Sequence, residues 1–229
     1  VNVSAMSSLA ASAPHFKAAL VQLCSGRDVK RNIADASELI RAAAAAGAEY
    51  IQTPENTTLM ELEKRRLMTL IEPEAGNSAL AAFSELAQEV KRWLHIGSIG
   101  VRCDDGRIAN RSYLFAPDGT VTARYDKIHM FDVALENGET WRESSVYDAG
   151  ARAVVADLPL GRFGLSICYD LRFPHLYRAL ARAGAEVLCV PSAFTRQTGR
   201  AHWKALTTAR AIECGAYLVA PAQGGVHED

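Results

Sequence analysis

Cysteine is scarce in this chain, and its few positions form no recognisable pair. Five cysteines are scattered over 229 residues, with no C-x-x-C pair and no Cys/His pair at zinc-ligand spacing: Cys24, Cys103, Cys168, Cys189 and Cys214. This pattern argues against a disulfide framework and a metal centre. Unpaired cysteines are typical of a reducing compartment, so we expect a cytoplasmic protein. We interpret Cys24 and Cys189 as buried structural cysteines.

Net charge and long apolar runs are also lacking. The 25 Lys and Arg residues nearly balance the 26 Asp and Glu residues, for a formal net charge of −1. Such a chain is poorly suited to broad electrostatic capture of nucleic acid or of an anionic membrane. No apolar run approaches the ~20 residues that a membrane span requires. The expected ligand is therefore a small molecule, with neither nucleic acid nor membrane as a partner.

The chain does contain enough apolar sequence for one large domain. It is 49% hydrophobic and 22% charged, which suits a globular protein with a substantial core. Residues 1–15 are rich in Ser and Ala and lack the basic and apolar segments of a signal peptide. We interpret residues 1–15 as a disordered leader or cloning remnant, and 16–229 as the folded domain.

Short β-type runs alternate with amphipathic stretches from residue 16 onward. The patterns predict strands at 16–23, 49–53, 95–101, 111–115, 121–125, 154–158, 163–167, 186–190 and 217–220. They predict helices at 31–46, 77–93, 174–182 and 202–214, and a polar loop at 132–150. Strand–helix alternation combined with hairpins indicates an α/β layered sandwich with a mixed sheet. A dinucleotide-binding fold is disfavoured, because no G-x-G-x-x-G follows a strand and opens a helix.

Three residues with the chemistry for attack on a carbonyl carbon follow predicted strands. Cys168 ends one strand a few residues before the helix that begins at Pro174, a place from which a nucleophile projects out of a sheet. Glu55 and Lys127 follow two other strands and could supply a base and a cation. Each has an ordinary alternative: Cys168 as a buried structural cysteine, and the two charged residues as solvated loop charges.

The segments around these residues resemble the signature motifs of the nitrilase superfamily of carbon–nitrogen hydrolases. In order and spacing the matching segments are Thr53-Pro-Glu-Asn56, Lys127-Ile-His-Met-Phe-Asp132 and Ser166-Ile-Cys-Tyr-Asp-Leu-Arg-Phe-Pro174. The resemblance spans residue 16 to the end of the chain. It implies an α-β-β-α sandwich and a hydrolase that needs neither metal nor organic cofactor. It also implies a triad of Glu55 as general base, Lys127 as oxyanion stabiliser and Cys168 as nucleophile.

Many members of this superfamily have a second glutamate after the lysine motif. The Glu-Ser pair at Glu143 best resembles the family pattern, and Glu139 is the alternative. The resemblance implies that this glutamate orients the lysine and the attacking water. The ordinary alternative is an acid on a surface loop.

The downstream segments resemble one amidase branch of the superfamily. Those segments are Pro191-Ser-Ala-Phe-Thr195, Thr198-Gly-Arg-Ala-His-Trp203, Ala209-Arg-Ala-Ile-Glu213 and Ala220-Pro-Ala-Gln-Gly224. The branch contains deaminated glutathione amidase and ω-amidase, so the resemblance implies a small ω-amide of an α-keto acid as substrate. We expect Arg172 to bind its carboxylate, unless Arg172 forms a salt bridge to an acid such as Asp170. The backbone N–H near Tyr169 is the expected second oxyanion donor.

Two further expectations come from the resemblance. Members of the family continue past the Gln-Gly segment with further strands, so we interpret the chain as lacking C-terminal strands. Members pack sandwich against sandwich, so we expect at least a homodimer. Two other functions remain open: an N-carbamoyl-amino-acid hydrolase or other hydrolase of the superfamily, and a catalytically silent binding protein.

Overall fold

The computed structural model describes residues 15–134, 138 and 140–227. The strands of these residues are β1 (Ala18–Leu20), β2 (Tyr50–Gln52), β3 (Trp93–Arg102), β4 (Ile108–Phe115), β5 (Val121–Asp126), β6 (Asp132–Ala134), β7 (Thr140–Arg142), β8 (Val154–Leu158), β9 (Gly161–Leu165), β10 (Val187–Cys189) and β11 (Tyr217–Val219). The α-helices are α1 (Val29–Ala45), α2 (Lys64–Leu70), α3 (Ser78–Val90), α4 (Pro174–Arg182) and α5 (Arg196–Cys214). Short 3₁₀ helices follow β7 at Glu143–Ser145 and β9 at Cys168–Arg172.

The first sheet has the strand order β1-β2-β3-β4-β5. Its first three strands are parallel, and β4 and β5 are added as antiparallel neighbours. Helices α1 and α3 share a core with this sheet, in which Ile40, Phe83 and Ile96 are fully buried. The Asp28 side chain caps α1 by accepting two backbone N–H groups of its first turn. Burial of the apolar stripes of these helices covers the outer face of the sheet.

The second sheet has the strand order β11-β10-β9-β8 and is also mixed. The Phe163 ring of β9 lies 4.7 Å from the ring of Tyr50 in the first sheet. The next residue, Gly164, faces Leu180 of α4. Successive strand residues point to opposite faces, so the second sheet lies between the first sheet and α4. The molecule is therefore the predicted α-β-β-α sandwich.

Helix α4 and strand β8 have the predicted bounds, most other predicted elements are shifted by one to three residues at their ends, and three segments differ more. Helix α2 was not predicted; it is seven residues long and begins after a cap from the Glu63 carboxylate. The predicted polar loop contains the β6–β7 hairpin. Helix α5 begins at Arg196 rather than at residue 202, because the Thr195 hydroxyl caps it by accepting the N–H of Thr198. Of the predicted leader, residues 1–14 lie outside the described residues.

Gly97 of β3 lies where the loop after β2 and the loop after β10 come together. A Cβ atom at this position would lie 2.2 Å from the carbonyl oxygen of Thr53, 2.4 Å from that of Pro54 and 2.5 Å from Cβ of Pro191. Such distances are far below van der Waals contact, so only glycine fits. Within the described residues, no helix is both long and apolar enough to cross a membrane.

Candidate active site

The ammonium of Lys127, directly after β5, lies at the centre of a buried charged cluster. Its Nζ donates to Oε1 of Glu55 at 2.8 Å, and to Oε1 and Oε2 of Glu143 at 2.9 and 2.8 Å. Burial lowers the pKa of Lys127, but the carboxylates of Glu143 and Glu55 more than offset this and hold that pKa well above its usual value. The lysine is therefore cationic in the folded protein.

Glu55 is held in the loop after β2 and is 3% exposed. Its Oε2 accepts the backbone N–H of Ala193 at 2.9 Å, while Oε1 accepts from Lys127. The side chain of Gln223 donates to the main-chain oxygen of Glu55 at 2.9 Å and fixes the loop. Neither Glu55 nor Lys127 is a solvated loop charge, so that alternative is wrong for both.

Glu143 begins the 3₁₀ helix after β7 and is turned into the same cluster. Its Oε2 accepts the backbone N–H of Phe131 at 2.7 Å, and both oxygens bind Lys127. The side chain is 14% exposed, which excludes an acid pointing into solvent from a surface loop. Glu139, the other candidate, lies outside the described residues.

Asn110 of β4 is a member of the cluster that the sequence analysis missed. Its Nδ2 lies 3.1 Å from Oε1 of Glu55 and 3.2 Å from Oε1 of Glu143. Its main-chain oxygen accepts the N–H of Lys127 at 3.0 Å. Asparagine is uncommon in strands, so a buried Asn in an otherwise β-type run is the one signal that could have identified it.

Cys168 begins the 3₁₀ helix after β9 in a left-handed conformation, with φ of 48°. This conformation is rare for a residue with a Cβ, and such residues cluster at functional sites. Its N–H donates to the oxygen of Pro191 at 2.9 Å. Burial and the charge of Glu55 raise the pKa of the thiol, Lys127 lowers it, and the net pKa lies well above the usual value. The thiol is therefore neutral at rest, and the Glu55 carboxylate is the nearby charge that favours its protonated form.

Tyr169 contributes a backbone donor and an aromatic wall beside Cys168. Its N–H is in the first turn of the 3₁₀ helix, where N–H groups have no partner within the helix. Its ring packs edge to face against Phe131 at 5.1 Å and Phe173 at 5.4 Å between centroids. This N–H is available to an acceptor placed above the thiol.

Asp170 joins the lysine loop to the cysteine loop. Fully buried, its carboxylate accepts the Tyr125 hydroxyl at 2.7 Å, the His129 N–H at 3.0 Å and the Ile167 N–H at 2.9 Å. Tyr125 and His129 flank Lys127 in the sequence, and Ile167 directly precedes Cys168. The relative position of the two loops is therefore fixed by one carboxylate.

Arg172 does not form the salt bridge to Asp170 that was the alternative prediction. Its Nη2 lies 3.1 Å from Nδ1 of His202, and its guanidinium carbon lies 5.7 Å from the centre of the Tyr169 ring. Asp170 is occupied by other donors, and no carboxylate of the described ranges pairs with Arg172. The arginine charge is thus only partly satisfied within the described part of the chain.

The other cysteines lie outside this cluster. Cys189 is buried, as predicted; its Sγ is 3.4 Å from the Tyr50 hydroxyl, and burial raises its pKa to about 12. Cys24 is exposed, so the prediction that it is a buried structural cysteine is wrong. Its thiol instead lies at the surface, 3.4 Å from the main-chain oxygen of Val226.

The site therefore combines a thiol, a carboxylate and an ammonium, which are the groups needed for nucleophilic attack, proton transfer and oxyanion stabilisation. The chain belongs to the carbon–nitrogen hydrolase family, whose sequence profile matches residues 17–229. Among its relatives, the deaminated glutathione amidase of Yersinia enterocolitica is 40% identical over 212 residues, which cover 91% of this chain and 73% of the relative. The deaminated glutathione amidase of Homo sapiens is 38% identical and is matched over 92% of this chain and 66% of the relative.

Solved structures agree with this family membership. The Caenorhabditis elegans NitFhit protein superposes with a TM-score of 0.82 at 34% identity, over 93% of this chain and 52% of that one. Saccharomyces cerevisiae Nit3, a member of branch 10 of the nitrilase superfamily, superposes with a TM-score of 0.81 at 29% identity, over 91% of this chain and 76% of that one. The nitrilase-type fold and the family resemblance are thereby confirmed.

Proposed function

We propose that this protein is an amidase that hydrolyses a small ω-amide of an α-keto acid through a Cys168 thioester. The observation that carries the proposal is the position of Glu55: its carboxylate accepts from the ammonium of Lys127 at 2.8 Å and from the N–H of Ala193, in the loop that binds Cys168, and its charge acts on the Cys168 thiol. A carboxylate between a nucleophile and a cation can carry one proton in each half-reaction, from the thiol to the leaving nitrogen and then from water to the thiol sulfur.

In the first half-reaction the thiol adds to the amide carbonyl. The Cys168 proton passes to Glu55 as the S–C bond forms, and the carbonyl π electrons move to oxygen. Lys127 and the Tyr169 N–H stabilise this oxyanion. The oxyanion then collapses, the C–N bond breaks, and Glu55 gives its proton to the departing nitrogen, which leaves as amine or ammonia.

In the second half-reaction water hydrolyses the thioester. Glu55 takes a proton from water as the new C–O bond forms, and the tetrahedral species expels the Cys168 sulfur, which regains its proton from Glu55. The raised pKa of Cys168 supports this coupling, because a neutral thiol needs a base at the moment of attack. Glu143 holds Lys127 with both oxygens and keeps it aimed at the oxyanion.

The substrate class rests on the relatives and on Arg172. The similar proteins of Yersinia enterocolitica and Homo sapiens are named for deaminated glutathione, an amide that carries an α-keto acid. In this chain the guanidinium of Arg172, in the 3₁₀ helix that begins at Cys168, has the His202 ring and the Tyr169 ring as neighbours and no carboxylate among the described residues. A guanidinium in that setting suits a carboxylate in a bidentate contact.

We also propose a cytoplasmic protein that assembles at least as a homodimer. All five cysteines are free thiols, which supports a reducing compartment. Ile212 and Tyr217 are 76% and 81% exposed, and large exposed apolar side chains are common at subunit contacts. Light scattering at micromolar concentration should give at least twice the subunit mass, and a single subunit mass contradicts the dimer.

The activity test is a product-release screen with wild-type protein and the Cys168→Ala variant. The substrates are deaminated glutathione, α-ketoglutaramate, carbamoyl-β-alanine and simple nitriles, with keto acid, amine and ammonia measured. We expect keto-acid release from the first two substrates by the wild-type protein only. Carbon dioxide release from the carbamoyl substrate, with no keto-amide turnover, contradicts the proposed substrate class.

A further inference from the structure

Asn110 contacts both carboxylates of the cluster through one amide group. Its Nδ2 lies 3.1 Å from Oε1 of Glu55 and 3.2 Å from Oε1 of Glu143, the same two oxygens that Lys127 binds. Only the NH₂ group of the amide can donate, so the side chain must face the carboxylates in this orientation. The main-chain bond from Lys127 to the oxygen of Asn110 keeps the two residues side by side.

These contacts make the two oxygens of Glu55 different. Oε1 accepts from both Lys127 and Asn110, whereas Oε2 accepts the backbone N–H of Ala193. Ala193 lies two residues after Pro191, whose main-chain oxygen accepts the N–H of Cys168 at 2.9 Å, so Oε2 is the oxygen on the side of the cysteine loop. Lys127 and Asn110 both donate to Oε1 and so fix the orientation of the carboxylate group. In this orientation Oε2 stays on the side of the cysteine loop.

We propose that Asn110 is a positioning residue that fixes Glu55 so that its Oε2, and not its Oε1, receives the thiol proton. The inference rests on the proposed function of Glu55 as the base. Asn110 joins Glu55 to Glu143 as well, so both carboxylates keep one arrangement around Lys127.

The neutral charge of the amide suits this role. The cluster already holds one ammonium and two carboxylates, and a second cation would stabilise the ionised form of Glu55 further and weaken it as a base. An amide supplies hydrogen-bond donors to both carboxylates and leaves the net charge unchanged. The groups that face Glu55 and titrate or carry charge are Lys127, Glu143, Cys168 and Tyr147.

The experiment compares Asn110→Leu and Asn110→Ser with the wild-type protein. Leucine has a similar size and no donor, whereas serine keeps one hydroxyl donor. Ser112→Ala is the matched control, because Ser112 is buried two residues further along β4 and binds His95 outside the cluster. For each protein we measure kcat and KM, the pH dependence of kcat, and the pH dependence of Cys168 alkylation by iodoacetamide. A thermal melt verifies folding.

We expect Asn110→Leu to lower kcat about ten- to a hundred-fold, the effect of losing a hydrogen bond to a charged group, with KM nearly unchanged. Loss of a donor disfavours the ionised carboxylate, so the acid limb of kcat and of alkylation should move to higher pH. The kcat of Asn110→Ser should lie between the values of the wild type and of Asn110→Leu. Ser112→Ala should have the same acid limb of kcat as the wild type.

A folded Asn110→Leu protein with wild-type kcat and an unmoved acid limb overturns the inference. If the leucine variant does not fold, the serine variant decides in the same way. The alkylation arm separates this inference from the proposed function. A wild-type protein that cleaves no amide, with an alkylation limb that still moves in the Asn110 variants, refutes the amidase and supports the positioning role.

Discussion

The two ends of one short 3₁₀ helix differ in how their charged surroundings are satisfied. At Cys168 the neighbouring charges are buried and paired, with Glu55 and Lys127 2.8 Å apart. At Arg172, four residues on, the guanidinium is partly exposed and meets only the His202 and Tyr169 rings within the described ranges. The charged groups near Cys168 are therefore already paired in the absence of substrate. The guanidinium of Arg172 can still bind an anion. Chemistry and recognition can therefore be changed separately.

The largest expected effect is that of Cys168→Ala. Without the thiol no thioester can form, so turnover should fall at least a thousand-fold while folding is kept. The measurement is kcat on the keto-acid amide beside a thermal melt. Alanine variants of Cys24, Cys103, Cys189 and Cys214 are the controls and should remain active. Retention of about a tenth of the wild-type rate by Cys168→Ala contradicts its role as nucleophile.

Next in size is Lys127→Met, which keeps the length of the side chain and removes the charge. Loss of an oxyanion donor should lower kcat about a hundred- to a thousand-fold. Two buried carboxylates then face each other without a cation, so the free energy of unfolding should fall by about 3–5 kcal/mol. Urea unfolding and kcat are measured together, with the exposed Lys30→Met as control. A variant that loses activity with unchanged stability contradicts the view that Lys127 neutralises the cluster.

The third prediction concerns recognition alone. Arg172→Met removes a charge-assisted contact of about 1.5–3 kcal/mol, so kcat/KM for an amide with an α-keto carboxylate should fall about ten- to 150-fold. A neutral amide without the carboxylate should be nearly unaffected. Arg178→Met, an exposed arginine of α4, is the control. Equal losses on both substrates would mean that Arg172 is structural, and the comparison between the two helix ends would fail.

The smallest effect is a pH dependence of stability. Burial raises the pKa of Cys168 above its ordinary value of 9.0. The stability gained from a neutral thiol is therefore complete below that value and is lost as the pH rises above it. Urea unfolding at several points between about pH 8 and 10 should show the wild type losing up to about 1.4 kcal/mol per pH unit relative to Cys168→Ala. Parallel curves for the two proteins would mean that the thiol is not desolvated.

The sequence predicts the strand ends that carry Glu55, Lys127 and Cys168, because local patterns mark where strands stop. It does not predict the β6–β7 hairpin, since its strands are only three residues long and lie in a segment rich in polar residues. Only the family pattern, and not a predicted strand or helix, therefore points to Glu143. Asn110 was missed because its role depends on two carboxylates that reach it from distant parts of the chain. Contacts of this kind arise from tertiary packing, and an asparagine in a β-type run marks an unusual position without revealing its partners.

The close approach over Gly97 has a consequence for random mutagenesis of this protein. A side chain there would displace the carbonyl oxygens of Thr53 and Pro54, which directly precede Glu55. It would also displace the ring of Pro191, whose carbonyl accepts the N–H of Cys168. In a library screened for activity, position 97 should therefore be as intolerant as the nucleophile itself, although it offers no functional group. A map of intolerant positions would mark Gly97 as an active-site residue, and only the backbone geometry reveals that it acts as a spacer.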